Sequence, residues 1–158
     1  MERRDKINYY LDIAETVAER STCMMRKYGA IIVRDDEIIA TGYNGAPRGR
    51  KNCEDLGICK RDQMGIPSGE RYELCRSVHA EQNAIISAAR KDCIGSTLYL
   101  AGRSGKTGEI LSDTTSCSMC RRFIINAGIK MVVARVGKDD YIETNVRDWV
   151  FSDDSIEF

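Results

Sequence analysis

The chain has 158 residues, of which 42% are hydrophobic and 30% charged, and this balance excludes both a disordered chain and a fibrous repeat. Lysine plus arginine and aspartate plus glutamate number 24 each, so the net charge is zero and gives no sign of a protein that binds nucleic acid through its phosphates. A chain of this length has the size of one ordinary domain, so we expect a single domain over residues 1–158. No apolar run approaches the roughly 20 residues that span a bilayer, so we expect the protein in the cytoplasm and without a membrane partner.

The amino-terminal part of the chain predicts one helix followed by a hairpin. Apolar residues recur at helical spacing over residues 7–20, which is typical of an amphipathic helix. Residues 30–33 are apolar and mostly β-branched, and residues 38–40 form a second apolar run. Asp35 and Asp36 lie between the two runs and supply a turn, so the two runs are expected to pair as antiparallel strands.

An irregular segment follows the hairpin. Residues 42–72 contain both prolines of the chain and show no sustained hydrophobic period. A structureless stretch of this length is uncommon in a compact domain. We interpret it as a long functional loop or as an insertion, at about residues 42–76, that a metal ion organises.

The second half of the chain alternates helices with strands. It predicts a helix over residues 79–90, a strand over 97–100, a polar loop over 102–116, a helix over 118–127, a strand over 130–134 and a short helix near 146–151. This order predicts an α/β domain in which helices flank one sheet.

The chain contains seven cysteines but a single histidine. In a reducing compartment disulfides are disfavoured, and clustered cysteines are better interpreted as metal ligands or catalytic groups. His79-Ala80-Glu81 and Cys117-Ser118-Met119-Cys120 each stand at the start of a predicted helix. One imidazole and two thiolates leave the fourth tetrahedral position of Zn²⁺ open for water, as in catalytic zinc sites. Glu81 then has the position of a general base and acid.

Taken alone, either motif has a simpler interpretation. A lone histidine is usually a surface or core residue, and a lone C-x-x-C in a reducing compartment could be a redox pair. The carboxylate two positions after the histidine, and the placement of both motifs at helix starts, favour the zinc site, because a helix amino terminus stabilises thiolates.

These motifs resemble those of the zinc-dependent nucleobase deaminases, whose signature is H-x-E followed by P-C-x-x-C. Residues 79–85, the Gly-Tyr-Asn-Gly segment within residues 41–47, and residues 127–129 are similar to the deoxycytidylate deaminase branch in particular. The resemblance implies a three-layer α/β/α sandwich with a central mixed sheet. It implies hydrolysis of a cytosine nucleotide, dCMP to dUMP and ammonia, by a homo-oligomeric enzyme that dCTP and dTTP regulate.

The resemblance also implies substrate contacts. Asn44 would contact the sugar, although Asn-Gly is also a common turn pair, and the backbone carbonyl of Ser116 would hold the leaving amine, with Ala80 beside the substrate. Ser116 departs from the signature, which has proline there. From their positions, Lys27 and Arg121 are candidate phosphate contacts.

The polar loop over residues 102–116 runs directly into Cys117 and is longer than the corresponding connection of the deoxycytidylate deaminases. Its glycines and polar residues suggest a mobile lid over the substrate. Arg103 and Lys106 in this loop are further candidates for binding a phosphate group.

Four cysteines are left over by the catalytic site and flank the irregular segment: Cys23, Cys53, Cys59 and Cys75. Four thiols are the number that a closed structural zinc site needs. Some deoxycytidylate deaminases carry a second zinc in this region, so the resemblance supports two zinc ions, one catalytic and one structural. The simpler interpretation of the four side chains is that of small buried apolar residues. Cys93 remains as an odd, free thiol.

Two other functions remain open. The same chemistry would suit a deaminase of another nucleoside, a modified pyrimidine or a tRNA base, although the zero net charge disfavours tRNA. A non-enzymatic zinc-binding module is the alternative from a different class. Glu81 argues against it, because a purely structural zinc has no use for a carboxylate beside an open position.

Overall fold

The computed structural model describes residues 1–153 and residue 156. Five strands form one sheet in the spatial order β2-β1-β3-β4-β5. Their bounds are β1 Arg26–Arg34, β2 Glu37–Tyr43, β3 Thr97–Ser104, β4 Met131–Arg135 and β5 Tyr141–Asn145. The pair β3 and β4 is parallel and the other neighbouring pairs are antiparallel, so the sheet is mixed as expected.

Seven helices accompany the sheet within the described residues. They are α1 Lys6–Ala18, α2 Cys53–Leu56, α3 Lys60–Gln63, α4 Ala80–Ser87, α5 Arg90–Cys93, α6 Ser118–Ala127 and α7 Val146–Phe151, with a 3-10 turn over Tyr72–Leu74. In this part of the chain, none of the helices combines the length and the apolarity that crossing a membrane requires.

The helices lie on both faces of the sheet because successive strand residues point to opposite sides. Ile31 of β1 packs with Leu11 of α1 in one buried cluster. Its neighbour Ile32 packs with Ala84 of α4 and Ile124 of α6 in the other. The predicted three-layer α/β/α arrangement is therefore confirmed, with α1 on one face and α4 and α6 on the other.

Gly42 of β2 allows α4 to lie directly on the sheet. A Cβ atom at this position would stand 2.3 Å from the backbone nitrogen of Ala84 and 2.4 Å from the carbonyl oxygen of Ala80. Asn83 adds a hydrogen bond from its side chain to the carbonyl oxygen of Tyr43 (2.7 Å). The glycine therefore sets the position of the helix that begins beside His79.

Several boundaries differ from the predictions. The helix expected over residues 79–90 ends at Ser87, because Ala88 is extended, and Arg90–Cys93 forms a separate turn. The irregular segment contains α2 and α3, which are single turns too short to produce a period. β5 was not predicted, since its residues are largely exposed and show no apolar alternation.

The polar loop also begins later than expected. β3 continues to Ser104, and Arg103 forms an isolated antiparallel bridge with Ile110. Gly105 is held by a hydrogen bond from its backbone N–H to the carbonyl oxygen of Met25 (2.9 Å). The first part of the loop is therefore ordered by backbone pairing.

Candidate active site

Two helix amino termini meet at the candidate site. His79 stands immediately before α4, and its backbone N–H donates to the side chain of Gln82 (2.9 Å), which fixes the first turn. Cys117 stands before α6, where its Sγ accepts a hydrogen bond from the backbone N–H of Cys120 (3.4 Å). Because α4 and α6 pack together, the two motifs come into contact.

The three predicted ligands have the spacing of a zinc site. His79 Nδ1 lies 3.6 Å from Cys117 Sγ and 3.3 Å from Cys120 Sγ. Zinc bonds of about 2.1 Å to nitrogen and 2.3 Å to sulfur, at tetrahedral angles, require separations of roughly 3.6 Å. Among the described residues, this is the one group of potential ligands whose atoms all lie within 4.8 Å of one another. The donor set therefore fits Zn²⁺ and leaves one coordination position for water.

The ionisation of Cys117 suits this fit, whereas the hydrogen bond with Cys117 raises the pKa of Cys120, because two thiols this close do not both ionise until a cation is bound between them. The hydrogen bond between the two thiols, together with His79, holds the pKa of Cys117 well below its ordinary value although burial opposes this. A thiol that ionises readily is suited to bind a metal ion. Glu81 is 5% exposed, and burial raises the pKa of its carboxyl. A carboxyl in such surroundings can accept and return a proton.

A cavity of about 330 Å³ opens over these residues. The predicted site residues that line it are Cys23, Asn44, Cys59, Cys75, His79, Ala80, Glu81 and Cys117. Cys120 is fully buried behind them. The cavity therefore brings the catalytic motifs together with Ala80, Asn44 and three of the four remaining thiols.

Lys27 and Arg121 do not line this cavity, as far as the structure describes the chain. Lys27 Nζ lies 2.5 Å from a carboxylate oxygen of Glu54 and also donates to the carbonyl oxygen of Ser21. The guanidinium of Arg121 covers the ring of Trp149 at 4.9 Å. The phosphate contacts expected of these two residues gain no support, because both side chains are engaged elsewhere.

Arg121 instead holds the backbone just before the zinc ligand. Its Nε donates to the carbonyl oxygen of Ser116 (3.0 Å). Ser116 is 1% exposed, and its side chain lies beside the carboxyl of Glu81. A carbonyl oxygen has two lone pairs, so the oxygen of Ser116 keeps one for a further donor such as an amino group.

Asn44 forms part of the structure that supports the cavity. Its Oδ1 accepts hydrogen bonds from Ser21 Oγ (2.6 Å) and from the backbone N–H of Tyr28 (2.8 Å). Its Nδ2 donates to the carbonyl oxygen of Arg26 (2.9 Å). These bonds tie the end of β2 to the start of β1 and leave one amide N–H for a ligand, so the expected sugar contact stays a prediction.

The four remaining thiols lie near one another. Burial raises the pKa of Cys53, and the charges of Cys23, Cys75 and Cys59 raise it further. Burial opposes ionisation of Cys75, yet its hydrogen bonds with His79 and with the Ser77 backbone lower its pKa overall. All seven cysteines are free, and Cys93 is fully buried in the core. Cys75 therefore lies between the other three of these cysteines and His79.

Arg103 and Lys106, the loop residues expected to bind phosphate, do not line the cavity as far as the structure describes the chain. Arg103 Nη2 is 2.6 Å from a carboxylate oxygen of Glu15, and Arg103 Nη1 donates to the carbonyl oxygen of Gly108. Of the loop over residues 102–116, Thr115 lines the cavity. The loop therefore contributes its carboxyl end to the site, next to Cys117.

Sequence reasoning missed several residues that line the cavity, among them Arg26, Tyr28, Arg61 and Tyr72. The first two belong to the start of β1, which the strand prediction placed four residues too late. Arg61 and Tyr72 belong to the irregular segment, where no pattern in the sequence indicates which side chains turn towards the site. Tyr72 packs edge-on against the ring of His79, with the ring centroids 5.1 Å apart.

Comparison with known proteins gives a consistent result. Residues 4–136 match the family described as the cytidine and deoxycytidylate deaminase zinc-binding region. A deoxycytidylate deaminase of Mycobacterium phage D29 is 37% identical over 138 residues, covering 84% of this chain and 96% of the phage protein. That of Schizosaccharomyces pombe is also 37% identical, over 80% of this chain, but this chain spans only 35% of the yeast protein.

Solved structures agree in fold. The dCMP deaminase of cyanophage S-TIM5 superimposes in its apo form with a TM-score of 0.57, at 26% identity, covering 87% of this chain and 88% of the phage chain. The same phage enzyme in complex with dCMP and dUMP gives a TM-score of 0.55, at 26% identity over 85% of this chain and 84% of the phage chain. With its His-Cys-Cys site and buried glutamate, the chain belongs to the cytidine and deoxycytidylate deaminase family.

Proposed function

We propose that this chain deaminates dCMP to dUMP with release of ammonia. The observation that carries the proposal is the buried carboxyl of Glu81 in the wall of a cavity that also contains the ligand atoms of His79 and Cys117. The relatives from phage D29 and from fission yeast carry the name deoxycytidylate deaminase, and the cyanophage enzyme was solved with dCMP and dUMP. These names favour a cytosine nucleotide over a free nucleoside.

The chemistry replaces the amino group at carbon 4 of the base by the oxygen of water. His79, Cys117 and Cys120 would hold Zn²⁺, which would supply Lewis-acid activation of that water. Glu81 accepts one proton of the water and passes it to ring nitrogen 3, and it then delivers the second proton to the leaving amine. The carbonyl oxygen of Ser116 accepts a hydrogen bond from the amine, while Arg121 keeps this carbonyl in place.

A screen of dCMP, CMP, dCTP, deoxycytidine and cytosine tests the substrate. We expect the highest kcat/KM for dCMP, measured by loss of the absorbance of the amino pyrimidine. Preference for deoxycytidine would assign the chain to the nucleoside branch of the family. No turnover of any of these by zinc-loaded protein would contradict the proposed reaction.

The four thiols Cys23, Cys53, Cys59 and Cys75 are proposed to hold a second, structural zinc. Two observations support this role. The four thiols lie near one another, and the single-turn helices around them bury few side chains that could hold the segment together. In the structure they do not stand as close together as ligands of one ion would, since among the described residues the catalytic group alone meets that spacing. Binding would therefore draw them together and order the segment.

Zinc analysis tests this proposal. We expect two zinc ions per chain, one of which a chelator removes readily. Cys53→Ser is expected to lower the zinc content to one and to lower the melting temperature more than it changes kcat of the folded protein. Cys93→Ser is the matched control, because this buried thiol lies in the core and should change stability without changing the zinc content. One zinc in the unmodified protein would remove the second site.

Regulation, assembly and location complete the proposal. A second cavity of about 490 Å³ is lined by Arg20, Arg48 and Arg50 and by Gly42 and Gly45 of the Gly-Tyr-Asn-Gly segment, a charge distribution that suits dCTP or dTTP.

Large apolar side chains exposed on α4, α6 and α7 favour a homo-oligomer. The seven free thiols favour the cytoplasm. The substrate assay repeated with dCTP or dTTP tests the proposed regulation, and light scattering tests the proposed homo-oligomer.

A further inference from the structure

Residues 59–77 form one wall of the active-site cavity and face the catalytic residues. The side chains that this segment contributes include those of Arg61, Asp62, Ser68 and Tyr72. Tyr72 contacts His79, so the wall is in direct contact with the catalytic centre. Arg61 is the cation that the segment places at the cavity.

Arg61 is held in a fixed orientation. Its Nε and Nη2 donate to the carbonyl oxygen of Glu70 (3.1 and 2.7 Å), and Nη2 also donates to the carbonyl oxygen of Pro67 (2.7 Å). Its guanidinium lies over the ring of Tyr72, 4.2 Å from the ring centre. These bonds use three of the five N–H donors of arginine and leave the two on Nη1. The acceptors are uncharged, so they do not neutralise the guanidinium.

The other arginine that lines the cavity is engaged with a carboxylate. Arg26, which also lines the cavity, donates to both carboxylate oxygens of Asp113 at 3.1 Å. Lys27 pairs with Glu54, and Arg103 with Glu15. An arginine that is oriented by backbone carbonyls and keeps its charge and two donors is suited to a phosphate group.

We infer that Arg61 binds the 5′-phosphate of the substrate and makes the enzyme select nucleotides over nucleosides. The inference rests on the proposed deamination and adds the residue that determines which class of cytosine compound is accepted. The base lies at the catalytic centre and the phosphate lies against the wall formed by residues 59–77. Asp62 lines the same wall and carries the opposite charge, so it weakens the attraction of the cavity for an anion.

The experiment compares dCMP with deoxycytidine for Arg61→Gln. We expect kcat/KM for dCMP to fall about 10- to 100-fold, the usual effect of losing a charge-assisted hydrogen bond, and kcat/KM for deoxycytidine to change less than 3-fold. Asp62→Asn should have the opposite sign and raise the preference for dCMP. Arg61→Lys should restore part of the preference, because it keeps the charge but not the planar donors.

Binding of the products gives an independent readout. In calorimetry, Arg61→Gln is expected to weaken dUMP and to leave deoxyuridine unchanged. If Arg61 only orders the segment, both substrates and both products will be affected equally, and the inference is wrong. It is equally wrong if Arg26→Gln produces the selective loss and Arg61→Gln does not.

The same data separate this inference from the proposed function. Failure of the zinc-loaded wild type to deaminate either compound contradicts the proposed reaction, while a selective effect of Arg61→Gln on dUMP binding would still support the phosphate contact. Deamination of both compounds with a dCMP preference that does not depend on Arg61 contradicts the phosphate contact and leaves the reaction in place.

Discussion

Glu81→Gln is expected to lower kcat by about 10²- to 10⁴-fold, the usual contribution of a positioned acid and base. Glutamine has the size and polarity of glutamate but cannot carry the proton from water to the base. The carboxyl of Glu81 is not one of the three zinc ligands, so the zinc content should stay at the wild-type level. The measurements are steady-state kinetics with dCMP and elemental analysis of the same preparation.

Two controls make this result specific. Glu37→Gln changes an exposed glutamate at the start of β2 and should leave kcat unchanged. The melting temperature of Glu81→Gln should equal or exceed that of the wild type, because an amide costs less to bury than a carboxylate. Turnover near the wild-type rate with full zinc occupancy would show that Glu81 does not transfer the proton.

Gly42→Ala is expected to cause a large loss of stability for a single added methyl group. The new Cβ would meet backbone atoms of α4 at 2.3 and 2.4 Å, and backbone cannot move aside as a flexible side chain does. Overpacking usually costs roughly 1–3 kcal/mol, or more where relaxation is blocked. For a chain of this size the melting temperature should fall by ~2–12 °C.

The substitution should also lower activity, because α4 begins beside His79 and carries Glu81. Thr41→Ala, at the exposed neighbouring position of β2, is the matched control and should alter the melting temperature by no more than a degree or two. Thermal unfolding and the dCMP assay check both variants. An unchanged melting temperature for Gly42→Ala would mean that α4 does not lie against β2 as described.

The catalytic motifs could be predicted from the sequence because each is local. His79 and Glu81 are two positions apart, Cys117 and Cys120 are three apart, and each pair begins a helix. The strands of the core were predictable for the same reason, since the buried residues of β1 form one continuous run within a single element. β5 was not, because it is stabilised by pairing with β4 and has little buried surface of its own.

The substrate contacts could not be predicted in this way. The chain does not reveal that Lys27 pairs with Glu54, 27 positions away, or that Arg121 turns to the backbone of Ser116. Arg61 lies in a segment without periodicity, and its orientation depends on carbonyl groups six and nine positions later. Such assignments require the tertiary structure, because only the folded chain shows which cations are already paired with a carboxylate and which remain free to bind a ligand.

The edge-on contact between Tyr72 and His79 has a consequence for metal retention. Tyr72 also lies beneath the guanidinium of Arg61. Its ring therefore contacts both the residue inferred to bind the phosphate and His79, the proposed zinc ligand. Thermodynamic linkage between two sites is reciprocal: if nucleotide binding stabilises this ring against the imidazole, it strengthens zinc binding by the same free energy. On the proposed function, the zinc affinity of this protein would then rise with the concentration of nucleotide around it.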